Sequence, residues 1–560
     1  MEIDPFDPDQ PQAMPQAPAT NVDEAAHGGL GDRWVIGPPG TGKTTFLARQ
    51  VEFDAQQRGS EAVVVCSHTR AAAAEIGQRH LPLDPDHVGT LHSLAYRALG
   101  RPTLLETGDG LKAFSEAYPR YEMSARYSME DKEAGIGSRC EGDNYLAEYG
   151  RLRNLQVPRE LWPTEVGAFA IAWEDYKQSG AGIDFTDMIE LALAETDLPK
   201  PGTEVLICDE AQDLSRLQYG LVSRWAGNVP KCVLAFDADQ SIYAFAGATP
   251  EVFLETEPRE LKVLEQSWRV PRAVHAIALR WIRTASRRRD VTYLPRDADG
   301  EVGVSPSTWR VPERIIDDVE EDLRSGDGTV MLLAACGYML APIVAALRQR
   351  GIPFHNPYRV TNGAWNPFGS KHKATSTVGR VLMFLAPFAE DAKRFWTPSE
   401  VRLWSEIVVG CWKRGGKGRL RELPDDTDEM AVVSEVVAAM QTNEDAEAVT
   451  DGANATWWLR HRLAANRQNV GRYVLDVLEG WPREEIQRPR VVVGTIHSVK
   501  GGEADNVYLM PDLSPQGAME WHGGGSGRDE VIRQFYVGMT RAREKLTFAT
   551  PCGEAIGGYL

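Results

Sequence analysis

The segment GPPGTGKTT, Gly37 to Thr45, has the residue types and spacing to grip the phosphates of a nucleotide. Gly37, Gly40 and Gly42 let backbone N–H groups approach an anion, Lys43 adds a point charge, and the Thr44 hydroxyl suits Mg2+. Pro38, Pro39, Thr41 and Thr45 complete the loop. CDEAQD, Cys208 to Asp213, closes a second apolar run and sets two acids side by side. Asp209 is of the type that helps hold Mg2+, and Glu210 of the type that orients or deprotonates a water. Far along the chain, FYVGMTRAREKL at Phe535 to Leu546 offers Arg541, whose charge serves phosphate chemistry only if folding brings it to the same loop.

Those residues need strands to hold them at one edge of a sheet. From Trp34 short β-branched runs alternate with helical patterns: WVI, a helix after Thr44, EAVVVCS at Glu61 to Ser67, and an alanine-rich stretch to about His80. A long helix-leaning passage follows before EVLICDE (Glu204 to Glu210), KCVLAFD (Lys231 to Asp237) and LKVLEQ (Leu261 to Gln266) resume the pattern. A second series opens with TVMLLAAC near Thr329 and a helix over 341–350. It resumes only at VVVGTIH (Val491 to His497), VYLMP (Val507 to Pro511) and LTFAT (Leu546 to Thr550). The expected fold class is α/β, with two parallel sheets flanked by helices, each interrupted by a mainly helical insert. The expected boundaries are 28–95 with 181–266 for the first domain and 96–180 for its insert. They are 267–364 with 489–560 for the second, and 365–488 for its tryptophan-rich insert. Residues 1–27, acidic and rich in proline, are expected to be a disordered tail.

With 560 residues, several domains are expected, and 42% hydrophobic and 25% charged residues describe an ordinary globular chain. No apolar run approaches a membrane span, and the opening MEIDPFDPDQ is acidic where a secretory signal is basic. Seven cysteines without a CxxC pair read as reduced thiols of a cytoplasmic protein. The net charge of −19 disfavours a polyanionic partner over the surface as a whole, so any nucleic acid must meet a local patch. Two patches qualify: Arg280, Arg283, Arg287, Arg288 and Arg289, and the glycine-rich run Lys413, Arg414, Lys417, Arg419 and Arg421; each is equally readable as a solvated face.

The motifs together resemble the UvrD, Rep and PcrA group of superfamily 1A DNA helicases. In the family order stand GPPGTGKT, SHTRAAAAEI, GTLHSLAYRAL, IDFTDMI, ICDEAQD, DADQSIYAFAGA, LEQSWR, VGTIHSVKGGEADNVYL and YVGMTRAR. The resemblance implies two RecA-like P-loop domains with ATP between them and single-stranded DNA across their tops. It implies that Gln240 senses the γ-phosphate, that Arg269 and Arg541 are arginine fingers, that Glu503 reaches the ribose and that Trp268 stacks on adenine where the family has tyrosine. For DNA it points to Thr90, His92, Phe245, Thr495 and His497; an aromatic platform suits sequence-tolerant stepping because every base has a π face. Besides Trp268, the chain departs from the family in four places: no glutamine motif precedes the phosphate loop, Ser67 replaces an aromatic, Phe245 and Ala246 replace a Trp-Arg pair, and the second insert is short.

The function implied is ATP-dependent unwinding of DNA with 3′ to 5′ translocation, Mg2+ and ATP as cofactors, and single-stranded or tailed duplex DNA as partner. A translocase that strips proteins from single strands without efficient unwinding is the alternative, and a nucleotide-gated binding module is a third. No membrane association and no nuclease domain are expected. The chain is expected to act as a monomer or weak oligomer, with the tail or the second insert as a docking surface for a protein partner.

Overall fold

A computed structural model of the protein describes residues 33–67, 82–124, 140–358, 365–368, 374–389, 392 and 394–557. The acidic tail and the alanine-rich stretch after Ser67 lie outside the described residues. The first sheet is built from β1 (Arg33–Ile36), β2 (Val63–Ser67), β3 (Val88–Thr90), β4 (Val205–Asp209), β5 (Lys231–Phe236) and β6 (Glu260–Val263). They run parallel in the order β3-β2-β4-β5-β1-β6. A strand turns successive side chains to opposite faces. Trp34, Ile36, Val64, Cys66, Leu206 and Cys208 accordingly enter one core, and Val35, Val63, Val65, Val205 and Ile207 the other, beneath Leu47 and Val51 of α1 (Lys43–Arg58). Burial on both faces explains why these strands read as continuous apolar runs.

Between β3 and β4 the described chain forms helices, among them α2 (Leu91–Ala98), α3 (Glu141–Asn154), α4 (Thr164–Tyr176) and α5 (Phe185–Glu195). Phe114, Tyr149, Phe169 and Trp173 give this insert a core of its own. A buried ionic cluster pins it to the first sheet's unit: Arg153 and Lys177 meet Asp184 and Asp187, with Arg153 also on Glu190. Asp184 and Asp187 form a capping box that starts α5.

The chain leaves the first sheet earlier than LKVLEQ suggests. β6 ends at Val263, and β7 (Gln266–Pro271) pairs instead with β8 (Leu294–Arg296). The second sheet comprises β9 (Glu301–Ser305), β10 (Val330–Ala334), β11 (Phe354–His355), β12 (Val491–Thr495), β13 (Ala504–Leu509) and β14 (Ala542–Ala549), all parallel, in the order β11-β12-β10-β13-β14-β9. One face, with Met331, Leu333 and Val492, packs under α6 (Arg272–Ile282) and α9 (Gly525–Met539). The other, with Leu332, Val491 and Val493, packs under α7 (Gly337–Gln349) and runs without a break into Phe384, Trp396, Trp404 and Trp458 of the second insert. Tyr473 on α8 (Gln468–Gly480) donates to the Ile352 carbonyl at 2.9 Å and fixes that junction. The two parallel α/β units expected from the strand pattern are therefore present.

Candidate functional site

α1 begins at Lys43 straight after the loop, with Gly42 at its N-cap in the left-handed region (φ 81°) and no side chain capping it. That end of the helix suits an anion, with no acidic residue in the first turn to repel one. Gly40 is also left-handed (φ 73°), and a Cβ there would collide with Arg269 and Ser267, so only glycine lets the loop lie against β7. Lys43 Nζ donates to the Gly37 carbonyl at 2.8 Å, and Thr41 Oγ1 to the Pro38 carbonyl at 2.8 Å. The Pro39 carbonyl accepts from Ser267 Oγ and Tyr293 Oη, both at 2.9 Å, and the Gly40 carbonyl from the Trp268 N–H at 2.8 Å. The loop is thus held from both sequence halves. Thr44 is half-buried and Thr45 exposed on the first turn of α1.

Beside the loop, β4 delivers Asp209, buried, whose Oδ1 accepts from the Glu210 N–H at 2.9 Å. Glu210 stands in the left-handed region (φ 55°), a conformation that few non-glycine residues take. Gln212 holds it there, donating to Glu210 Oε2 while its own Oε1 accepts from the Asp237 N–H at 3.0 Å. Burial alone would lift the Glu210 carboxyl, but Lys43, Lys500, the Gln212 bond and Arg541 together bring it down to about 2. Asp213 next to it is pushed up to about 7 by burial, against the pull of its ion-pair partner Lys500.

The turn after β5 carries Gln240, whose Nε2 donates to Asp237 Oδ2 at 2.6 Å. Its Oε1 accepts from Arg541 NH2 at 3.0 Å, so the arginine that follows α9 does reach the first sheet. Arg541 is buried, anchored by its Nε on the Val537 carbonyl at 2.9 Å and by NH1 on the Gly502 carbonyl at 3.2 Å. Burial and the neighbouring Arg269 lower it to about 9, so it remains a cation at neutral pH. Arg269 donates to Glu503 at 2.6 Å, and Lys500 also reaches the Gln240 carbonyl at 2.9 Å. Trp268 is 74% exposed, with its ring beside Gly42.

The structure joins Phe245 to His497 ring to ring, 5.4 Å between centroids. His497 faces the Ile242 carbonyl through Nε2 and the Gln534 amide through Nδ1, which assigns the neutral tautomer protonated on Nε2; burial first, then Lys500, lowers it to about 4. Thr495 lies just before it, buried, its hydroxyl accepting from the Ser498 N–H at 3.2 Å. Thr90 and His92 stand apart at the other edge of the first sheet. Thr90 caps α2, and the His92 ring meets Phe185 edge-on at 5.9 Å. In the first basic patch Arg280, Arg283 and Arg287 are exposed, Arg287 and Arg289 pair with the exposed Glu255 and Glu257, and Arg288 is turned inward onto Asp239. Lys413, Arg414, Arg419 and Arg421 are exposed.

Sequence reasoning missed Gln212, the Lys500–Asp213 pair, Tyr293 and Gln534. The first three were within sight of it: Gln212 and Asp213 fall inside CDEAQD, and Lys500 inside the TIHSVKGGE segment. Tyr293 and Gln534 sit in stretches with no motif to mark them.

Two families match stretches of this sequence. Residues 29–246 fit the family described as an AAA domain, and residues 476–551 the UvrD-like helicase C-terminal domain. YjcD of Bacillus subtilis, named as an ATP-dependent DNA helicase, is 23% identical over 92% of this chain and 76% of its own. A protein of Mycoplasma pneumoniae named as a DNA helicase is 27% identical over 43% of this chain, and the ATP-dependent DNA helicase UvrD1 of Mycobacterium leprae 26% identical over 59%. The chain spans about half the length of these last two relatives. With both matched segments lining one cleft, and with UvrD-type helicases among its relatives, the chain is similar to the UvrD-like superfamily 1A DNA helicases.

Proposed function

We propose that the protein is an ATP-dependent DNA helicase that translocates 3′ to 5′ on single-stranded DNA and unwinds duplex. The observation that carries this is the bond from Arg541 to Gln240, made beside Lys43 and Glu210, because it sets a cation from one sheet's unit among the hydrolytic residues of the other. Lys43 and the N-terminus of α1 bind the phosphates. Glu210, anionic and fixed, orients the attacking water and takes its proton. Gln240 and Arg541 face the γ-phosphoryl group as charge builds on it. Nucleotide entry exchanges the Glu503 carboxylate on Arg269 for phosphate, freeing Glu503 for the ribose, and the exposed Trp268 offers a face to adenine. The Thr44 hydroxyl and the Asp209 carboxylate are hard oxygen donors that fit Mg2+, which takes few protein ligands and keeps phosphate oxygens and waters as the rest; when bound it neutralises developing charge. Among the described residues no group of three or more His, Cys, Asp or Glu side chains is gathered that could hold a metal without the nucleotide.

In this reading residues 28–95 with 181–266 and 267–364 with 489–560 are the two motor domains, and 96–180 and 365–488 their inserts. DNA passes over Phe245 and His497, with Thr90, His92 and Thr495 lining the track. The second reading, a translocase that displaces bound proteins without efficient unwinding, is favoured by the fusion of the second insert with the sheet core and by Ala246 in place of an arginine. Strand displacement on duplexes with 3′ or 5′ tails, with Lys43→Ala as the blank, separates these. Release from 3′ tails alone is expected; stimulated ATP turnover without release identifies the translocase, and release from 5′ tails alone overturns the polarity.

A further inference from the structure

The arginine run 287–289 spans the two sheet units. Its backbone is fastened to α9: Asp529 accepts from the Ser286 N–H at 2.8 Å, the Ser286 hydroxyl at 2.8 Å and the Arg287 N–H at 3.0 Å, while Arg533 donates to the Arg287 carbonyl at 2.8 Å. Its side chains reach the other way. Arg287 pairs with Glu255, and Arg289 donates to the Thr256 carbonyl at 2.8 Å and pairs with Glu257. Both of those acids are well exposed, so the pairs add little. Arg288 differs. Its Nε and NH2 converge on Asp239 Oδ2 at 3.1 and 2.8 Å, with side-chain exposures of 13% and 9%. The other oxygen of Asp239 is buried without a hydrogen-bond partner, so the carboxylate depends on Arg288.

Asp239 lies in the turn that carries Gln240, and its own N–H donates to Asp237 Oδ1 at 3.1 Å. That turn is therefore gripped twice from α9: from the body of the helix through Asp529, Arg533 and Arg288, and just past its end through Arg541. The helix runs about 15 Å from Asp529 to its C-terminal end, just before Arg541, so rotation of α9 turns both grips together.

We propose that Arg288 is a positioning residue for ATP hydrolysis, holding the 237–240 turn through Asp239 so that Gln240 meets the γ-phosphate in register with Arg541. The proposal rests on the hydrolysis reading above. A buried charge left alone by a single substitution risks the fold, so the test removes both charges with Arg288→Met and Asp239→Leu together, and adds Arg288→Lys as the conservative variant. Three readouts are taken on the full chain: binding of a fluorescent ATP analogue, ATP turnover with saturating single-stranded DNA, and hydrogen exchange of the 237–247 segment.

The double variant is expected to bind the analogue nearly as well as the wild type, to lose about 10- to 100-fold in kcat, and to exchange faster over 237–247 alone, while Arg288→Lys recovers part of kcat. Wild-type kcat and exchange in the double variant overturn the proposal, as does joint loss of binding and turnover with faster exchange throughout. If the wild type itself turns over no ATP, the hydrolysis reading fails and exchange decides alone: faster at 237–247 upholds the double grip, unchanged refutes it.

Discussion

Glu210 sits in a backbone conformation that costs about 1–3 kcal/mol for a residue with a Cβ. Gln212 maintains it, and with both amide atoms used on Glu210 and Asp237 it links the acids at the end of β4 to the turn of Gln240. Gln212→Ala should leave the Asp237 N–H unpaired, at a cost of about 1–3 kcal/mol, and lower kcat more than it raises KM, which steady-state kinetics reads directly. Asp213 makes a pH prediction. Its carboxyl is raised from 3.8 to about 7, so the stability it adds is full below pH 3.8 and lost as pH rises through about 7. Asp213→Asn cannot titrate. Measured by thermal melts, the wild type should lose ground to the variant between pH 4 and 7; a constant difference across that range refutes the assignment.

At the scale of elements, the phosphate loop was fully legible, because strand, glycines, lysine and helix are consecutive and each has a local reason. Asp209 at the end of β4 was legible beside the phosphate loop, although acids after a strand often serve only as helix caps. What pairs across the chain was not. Lys500 and Asp213 lie 287 residues apart and Arg288 and Asp239 lie 49 apart, and a run of three arginines carries no mark that its partners are first-domain acids. The three-residue β3 and two-residue β11 were also invisible, being strands only because a neighbour supplies their ladder. The first insert was legible as helical but not as pinned. Lys177 and Asp184 are nearly fully buried, and Trp173 Nε1 donates to the same Asp184 at 2.9 Å. Lys177→Met should destabilise this insert by about 3–5 kcal/mol, because it strands carboxylates out of water, and tryptophan fluorescence during urea unfolding should report the loss.

At the scale of the molecule, the two inserts behave differently. The first has its own core, while the second shares one with the second sheet, a continuous cluster that includes Trp404, Trp458 and Leu332. Unfolding should therefore proceed in separable steps, with the second insert and second sheet melting as one. Trp404→Ala, costing about 3–5 kcal/mol, should shift that joint transition and leave the first insert in place; proteolytic release of the second insert alone would count against it. The two sheet units are joined at the cleft itself, where Tyr243 and Ile242 of the first enter the second's core and Arg541 meets Gln240. Hydrolysis gated by that closure is the central claim. Its most direct measurement is ATP turnover by Arg541→Ala at saturating single-stranded DNA, beside the binding of a fluorescent ATP analogue. The expected result is a loss of about 10³-fold or more in kcat with binding nearly unchanged. Wild-type turnover, or loss of binding in step with turnover, would contradict it.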